Sequence, residues 1–409
     1  MSCLFKFVLA LVCLRSFFAE SISENERVGF FGQAMFSMVY GDDDKLRPLI
    51  EEIRLGMEME FSPNLSLFSK ALIKDSLASG SRNDSDVLYS DILYLNWTQP
   101  SGYDVSLGRM VLPGSQETEG LLETNSNFVS NSILHSLHRG VWEGAMVSKT
   151  TTSNWTLGLG LHNGTYRVEQ RERKASSPWI NMGLAGRNTT AIRNGHHHFK
   201  DPGYIIHLGK QSEEGTWKWA ASYYTGSGDN SLTGPNQYDG ALQTRLYNLG
   251  LSFDMNPSLR VSAEYMGGSQ HNFVRSDIAD QAGRFDVPAQ FIGTTGVGRM
   301  VEDDFRAWFV QAVYNLDPEA AIGIRYGVSE IVRQGRNRNQ PLDDGTFDDL
   351  ADEMTFSLSR KVSDSGTLIL EYSTMEYDKN AGKSPAQNNL PQPSKDNFEV
   401  IRASFRIDF

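Results

Sequence analysis

Hydrophobic and polar positions alternate along this chain with a period of two. In "IRLGMEMEF", Ile53, Leu55, Met57, Met59 and Phe61 alternate with Arg54, Gly56, Glu58 and Glu60. "WTLGLGL" sets Trp155, Leu157, Leu159 and Leu161 against Thr156, Gly158 and Gly160. "LRVSAEY" (259–265), "IGIRYGV" (322–328) and "TLILEY" (367–372) divide in the same way. In "FEVIRASFRIDF", Ile401, Ala403, Phe405, Ile407 and Phe409 form one face, and Val400, Arg402, Ser404, Arg406 and Asp408 the other. Period two over runs of this length predicts strands with one apolar face. No convincing run of period 3.6 predicts a helix.

The connections alternate too. Very short turns fall at 62–64, 99–102, 151–154, 212–215, 256–258, 317–320 and 363–366. They carry Pro, Gly or Asn, residues that fix φ or accept a positive one. Between them lie long polar stretches at 113–139, 269–302, 330–350 and 377–395. Seven turns join fourteen strands; Arg27–Tyr40 precedes them and Asn397–Phe409 follows. The expected fold is all-β, a 16-stranded antiparallel up-and-down transmembrane barrel with short periplasmic turns and long external loops. "PWINMGLAGR" (178–187) resembles another strand, but adding it alone would reverse the direction of Tyr204–Gln211. Residues 166–203 are therefore expected to form the fourth external loop.

Composition agrees with a barrel. Only 39% of the 409 residues are hydrophobic, and no stretch reaches the roughly 18 consecutive apolar residues of a membrane helix. A barrel needs only every second residue for lipid. Both cysteines, Cys3 and Cys13, lie in "MSCLFKFVLALVCLRSFFAES", where Lys6, an apolar run and small residues at Ala19 and Ser21 read as a signal peptide over 1–21. The barrel then occupies 22–409, and without cysteines it has neither disulfides nor thiolate metal sites. A net charge of -12 argues against nucleic acid as a partner.

Alternation assigns charged residues to the lumen, because Arg or Lys facing lipid at mid-depth costs about 2–4 kcal/mol. The inward set on the first half of the chain is Arg54, Glu58, Glu60, Lys70, Glu143 and Lys218. On the second half it is Arg260, Glu264, Arg325, Glu371, Arg402 and Arg406. A wall of mixed sign makes a hydrated channel with a transverse field rather than a one-sign filter. Pairs such as Arg325 and Glu371 read equally as structural salt bridges across strands. The constriction is expected from loop 113–139, which carries Glu117, Glu119 and Glu123. Packing Leu121, Leu122 and Phe128 against the wall would turn Glu119, Glu123 and Asn125 to the pore.

The run "YDVSLGRMVLPGSQETEGLL", followed by "HRGVWEGAMVSK" and "WTLGLGLHNGTYR", resembles the phosphate-selective porin O and P family. The matching segments are Gly108–Pro113, His138–Gly144 and Trp155–Gly164. "DDFRAWFVQAVYNL" is similar to that family's aromatic strand before a tight turn. In "RASFRIDF", Phe405, Ile407 and Phe409 look like the aromatic-ended signal read by the barrel-assembly machinery. The resemblance implies a sixteen-stranded porin, commonly a homotrimer, whose third loop folds into the pore. Specific members carry an arginine ladder and a lysine cluster, and no matching run occurs here.

The function that follows is an outer-membrane porin for passive diffusion of small hydrophilic solutes or ions, in contact with outer-membrane lipid and lipopolysaccharide. The alternative is a structural or adhesion barrel acting through its external loops. A barrel lipase ranks behind both: His162 and His207 fall inward and no G-x-S-x-G nucleophile motif appears. No cofactor or metal site is expected. "HHH" at 196–198 cannot point three ligands one way, and the acidic runs at 42–45 and 343–349 lack EF-hand spacing. "GLGLHNG" (158–164) lies in a strand and opens no helix, so it is no dinucleotide fingerprint.

Overall fold

The computed structural model describes residues 27–40, 46–73, 88–111, 113–114, 127–129, 132, 134, 141–162, 203–229, 241–274, 299–337, 340–377 and 397–409. These form sixteen strands in one closed sheet. The first eight are β1 (Arg27–Tyr40), β2 (Leu46–Ser62), β3 (Leu65–Ile73), β4 (Leu88–Thr98), β5 (Tyr103–Val111), β6 (Val141–Thr150), β7 (Trp155–His162) and β8 (Gly203–Gln211). The rest are β9 (Trp217–Asp229), β10 (Ala241–Asn256), β11 (Leu259–Val274), β12 (Arg299–Asn315), β13 (Ala320–Asn337), β14 (Gln340–Lys361), β15 (Gly366–Tyr377) and β16 (Asn397–Asp408). Each pairs antiparallel with its sequence neighbours, and β1 pairs with β16 to close the barrel. Closure leaves no sheet edge to pair with another chain. The strand count, direction and turn positions match the sequence expectation.

The seam shows how alternation sets the two surfaces. Ala34 lies opposite Ile407, Phe36 opposite Phe405, Met38 opposite Ala403 and Tyr40 opposite Ile401. These pairs form the outer face. Between them Gln33 meets Asp408, Met35 meets Arg406 and Ser37 meets Ser404 on the inner face.

The outer apolar band is bounded by aromatic rings. Away from the short turns, Tyr204 packs near Tyr223, Tyr247 on Tyr265 and Trp308 against Tyr326, with ring centres 6.2, 5.9 and 5.6 Å apart. Near the turns, Trp155 and Trp219 meet edge-on at 5.8 Å, and Lys210 and Lys149 place their ammonium groups over Trp155 and Tyr103. From Tyr247 to Met255 the chain climbs roughly 20 Å along the axis, at about 3.3 Å per residue and a tilt near 40°. That height fits a bilayer core between two interfacial belts. Beyond the upper belt the outer face becomes charged, with Arg306 ion-paired to Glu330.

The stretch 330–350, expected as a loop, is mostly ladder: β13 continues to Asn337 and β14 begins at Gln340. A ladder needs only backbone partners. This stretch carries no sustained period-two alternation of hydrophobic residues to mark it as strand. The strand-like stretch 178–187 assigned to the fourth external loop, the histidines at 196–198 and the acidic run 42–45 lie outside the described residues.

Candidate functional site: the lumen beneath the third loop

The third loop leaves β5 at Val111 and turns inward. The Ser222 hydroxyl on β9 donates to the carbonyl of Pro113. That hydroxyl in turn accepts from Nδ1 of His207 on β8, 3.0 Å away, so this nitrogen carries the proton. Gly114 then adopts φ +85° against Ala220, where a Cβ would come within 2.8 Å of the alanine methyl. The bend demands glycine on both counts.

Further along, the loop meets the opposite wall. Asn127 accepts from the Ser359 hydroxyl of β14 at 3.1 Å. Phe128 is buried, with the Arg325 guanidinium of β13 4.8 Å from its ring centre. Gly323 leaves room for that ring, since a Cβ there would stand 2.8 Å from Phe128 Cζ. The Val129 amide donates to Glu371 Oε2 of β15 at 2.8 Å. Leu134, 1% exposed, sits in an apolar cluster with Met110, Trp142, Ile205, Tyr224 and Leu246.

This cluster departs from the polar-inside rule, because the loop covers it. Trp142 keeps its indole N–H satisfied by donating to the Val111 carbonyl at 3.0 Å. His162 stacks on Tyr224 at 4.3 Å and its Nε2 donates to the Thr225 carbonyl at 2.9 Å. Both histidines are held by these contacts, His207 by Ser222 and His162 by Thr225. A second aromatic row, Phe31, Phe68 and Tyr94, continues the inner wall with spacings of 5.6 and 5.5 Å.

The wall from β13 to β16 is ionic. Arg325 pairs with Glu353 at 3.1 Å, and Arg402 with Glu371 at 2.9 Å. All four side chains are at most 2% exposed. Ser373 adds a hydrogen bond to Glu371 Oε1 at 3.4 Å. Nearer the turns, Arg406 and Gln33 both bond Asp408 at 3.1 Å, and Ser37 meets Ser404 at 2.6 Å. On β10 and β11, Asn248 donates to Glu264 at 2.6 Å. At the rim, Arg260 pairs with Asp254 at 2.6 Å in an exposed setting.

Cross-strand register therefore puts Arg54, Glu58, Glu60, Lys70, Lys218, Arg260, Glu264, Arg325, Glu371, Arg402 and Arg406 on inner-face positions. Two expectations need correction. Glu143 lies opposite Arg109, between Trp142 and Gly144. Trp142 is buried inside and Gly144 lies opposite His162, so position 143 shares the outer parity of Ala145 and Val147. Treating charge as inward and tryptophan as outward reverses this strand, because the lumen is apolar under the loop. Arg325 and Glu371 are not cross-strand neighbours: β14 lies between their strands, and Arg325 pairs with Glu353 and Glu371 with Arg402. Glu353 is the functional-looking residue that sequence reading missed, although its alternation with Thr355 and Ser357 marks it as inward. Glu117, Glu119, Leu121, Leu122, Glu123 and Asn125 lie outside the described residues. Phe405, Ile407 and Phe409 occupy the outer face of the closing seam.

No protein-family profile matches the chain, and none of the curated proteins compared with it matches either. Solved structures do. The outer membrane channel DcaP of Acinetobacter baumannii superposes with a TM-score of 0.56 at 14% identity, over 95% of this chain and 99% of that one. The trimer form of OmpT, an outer membrane protein of Vibrio cholerae, gives 0.55 at 11%, covering 94% and 100%. An anion-selective porin from Comamonas acidovorans gives 0.54 at 10%, covering 94% and 100%. At these identities the likeness establishes the fold alone, a closed antiparallel transmembrane β-barrel.

Proposed function

We propose that this protein is a porin of the bacterial outer membrane, passing small hydrophilic solutes or ions by passive diffusion. The observation that carries this is the third loop seated inside a closed barrel, at β9 and again at β13–β15. A sixteen-stranded barrel leaves an aqueous channel unless something narrows it, and the inner-wall contacts of Pro113 and of Asn127, Phe128 and Val129 support loop 113–139 in that role. The inner-face charges Arg54, Glu58, Glu60 and Lys218 would line the path, with Glu117, Glu119, Glu123 and Asn125 supplied by the loop. Residues 1–21 would serve as the export signal.

The outer apolar band and its aromatic belts suit contact with membrane lipid, with lipopolysaccharide in the outer leaflet. A homotrimer fits the resemblance to the phosphate-selective porin O and P family. So does use of the barrel-assembly machinery through Phe405, Ile407 and Phe409. Phosphate specificity does not follow, because acidic and basic groups share the wall. The reading assigns no enzymatic step, no cofactor and no nucleic acid.

Planar-bilayer recording tests the proposal: purified protein should give stepwise ohmic conductance, and insertion without steps would refute it. Reversal potential across a salt gradient would give the sign of the constriction. One observation favours a second reading, an occluded structural or adhesion barrel: inner-wall residues such as Thr355, Ser404 and Arg402 are almost wholly buried. Deleting 113–139 separates the two, since a porin should conduct more and an adhesion barrel should not change.

A further inference from the structure

We propose that Glu371 is the positioning residue that holds the third loop on the inner wall, and that the buried ion pairs of β13–β16 are the seat of that loop rather than a permeation filter. Three consecutive loop residues engage three adjacent strands. Asn127 takes the Ser359 hydroxyl of β14, Phe128 lies over Arg325 of β13, and Val129 gives its amide to Glu371 of β15. The Val129 bond is charge-assisted and so stronger than an amide–carbonyl bond. The donor is backbone, so only the acceptor can tune it.

The wall is prepared for this contact. Arg402 and Ser373 bond Oε1 of Glu371, and the loop amide of Val129 bonds Oε2. Glu353 likewise holds Arg325 in place, leaving the face of its guanidinium to Phe128. Each charge on the wall is thus neutralised by the wall itself, and the loop docks without stranding one. A filter needs charges that a passing ion can reach. These four side chains are at most 2% exposed, so no ion meets them while the loop is seated. The hydrogen bonds of Glu371 fix where the loop lies, and the loop in turn sets the width of the remaining path.

For its effect on conductance this inference rests on the porin reading; for loop position it does not. The test uses the refolded full chain with Cys3→Ser and Cys13→Ser, carrying Asn127→Cys and Ser359→Cys. A short bis-maleimide should join the two cysteines within one chain. Adding Glu371→Gln should lower the yield severalfold, and adding Phe128→Ala should lower it further, while heat-modifiable migration of the barrel persists. If Glu371→Gln fails to fold because Arg402 is left without its carboxylate, the pair Glu371→Gln with Arg402→Met replaces it. Unchanged yield in these variants, or no cross-link in the parent, overturns the proposal. Unitary conductance of Glu371→Gln, without the cysteines, should rise. Reduced cross-linking with unchanged conductance upholds the loop anchor and counts against the porin reading instead.

Discussion

The Phe409 ring lies over Gly32, and the two residues exchange both backbone hydrogen bonds, Gly32 N to Phe409 O at 2.6 Å and Phe409 N to Gly32 O at 3.0 Å. This pair fastens β16 to β1 at the short-turn rim. Any side chain at position 32 would collide with the ring. Phe409→Ala should therefore weaken closure by roughly the 1.5–3 kcal/mol of an apolar side chain removed from its packed surface. Gly32→Val should do the same by displacing the ring. Both effects should appear as a lower yield of heat-modifiable barrel and a lower urea midpoint, with near-normal conductance in molecules that do assemble. Full assembly of both variants would remove this seam contact from the account.

Arg325 and Glu353 test what a buried ion pair contributes. Removing one partner strands a charge in a dry wall, so Glu353→Gln should cost about 3–5 kcal/mol in reversible unfolding. Replacing both, Arg325→Met with Glu353→Met, should recover most of that loss, because well-packed apolar residues often match or exceed a buried pair. The outer pair Arg306–Glu330 is the control: Glu330→Gln there should leave the unfolding midpoint nearly unchanged, because Arg306 is open to solvent. Equal penalties at both sites would mean that burial is not what makes the inner pair matter.

The barrel was legible in the sequence because period two is a local signal. It is written into each strand, and the asymmetry of turns and loops orders the strands without any long-range contact. The same alternation puts charges on inner-face positions, although Lys70, Glu264, Arg325, Glu371 and Arg402 there are buried rather than bathed in water. Position 143 fails for a physical reason. The rule assumes a wet lumen, and beneath the third loop the lumen is packed with Met110, Leu134, Trp142 and Tyr224. Pairing partners were illegible for a different reason. Alternation gives the face of Arg325 and Glu371, but only register reveals Glu353 and Arg402 beside them. The extended hairpin of β13 and β14 escaped notice because backbone ladders carry no side-chain signature outside the bilayer.

Trp142 joins the apolar lining to the loop, and its two interactions can be separated. Trp142→Phe keeps an aromatic ring beside His162 and loses the bond to the Val111 carbonyl, so it should cost about 0.5–1.5 kcal/mol. Trp142→Ala also empties the space around Leu134 and should cost about 3–5 kcal/mol. Thermal or urea unfolding in detergent would measure both. A Phe variant as damaging as the Ala variant would make the indole hydrogen bond, not packing, the main contribution.

Leu251 and Ser252 are neighbours that face opposite media. Leu251 lies on the outer face between Tyr247 and Met255, and Ser252 lies inside, opposite Lys218. Arginine at 251 must be carried into hydrocarbon at mid-band, at about 2–4 kcal/mol. Arginine at 252 stays on the inner face opposite Lys218, a like-charge contact costing less than about 1 kcal/mol. Leu251→Arg should therefore refold poorly in thick bilayers and improve in thin ones, whereas Ser252→Arg should refold in both and shift the reversal potential toward anions. Similar penalties at the two positions would show that the outer surface at Leu251 is not in lipid.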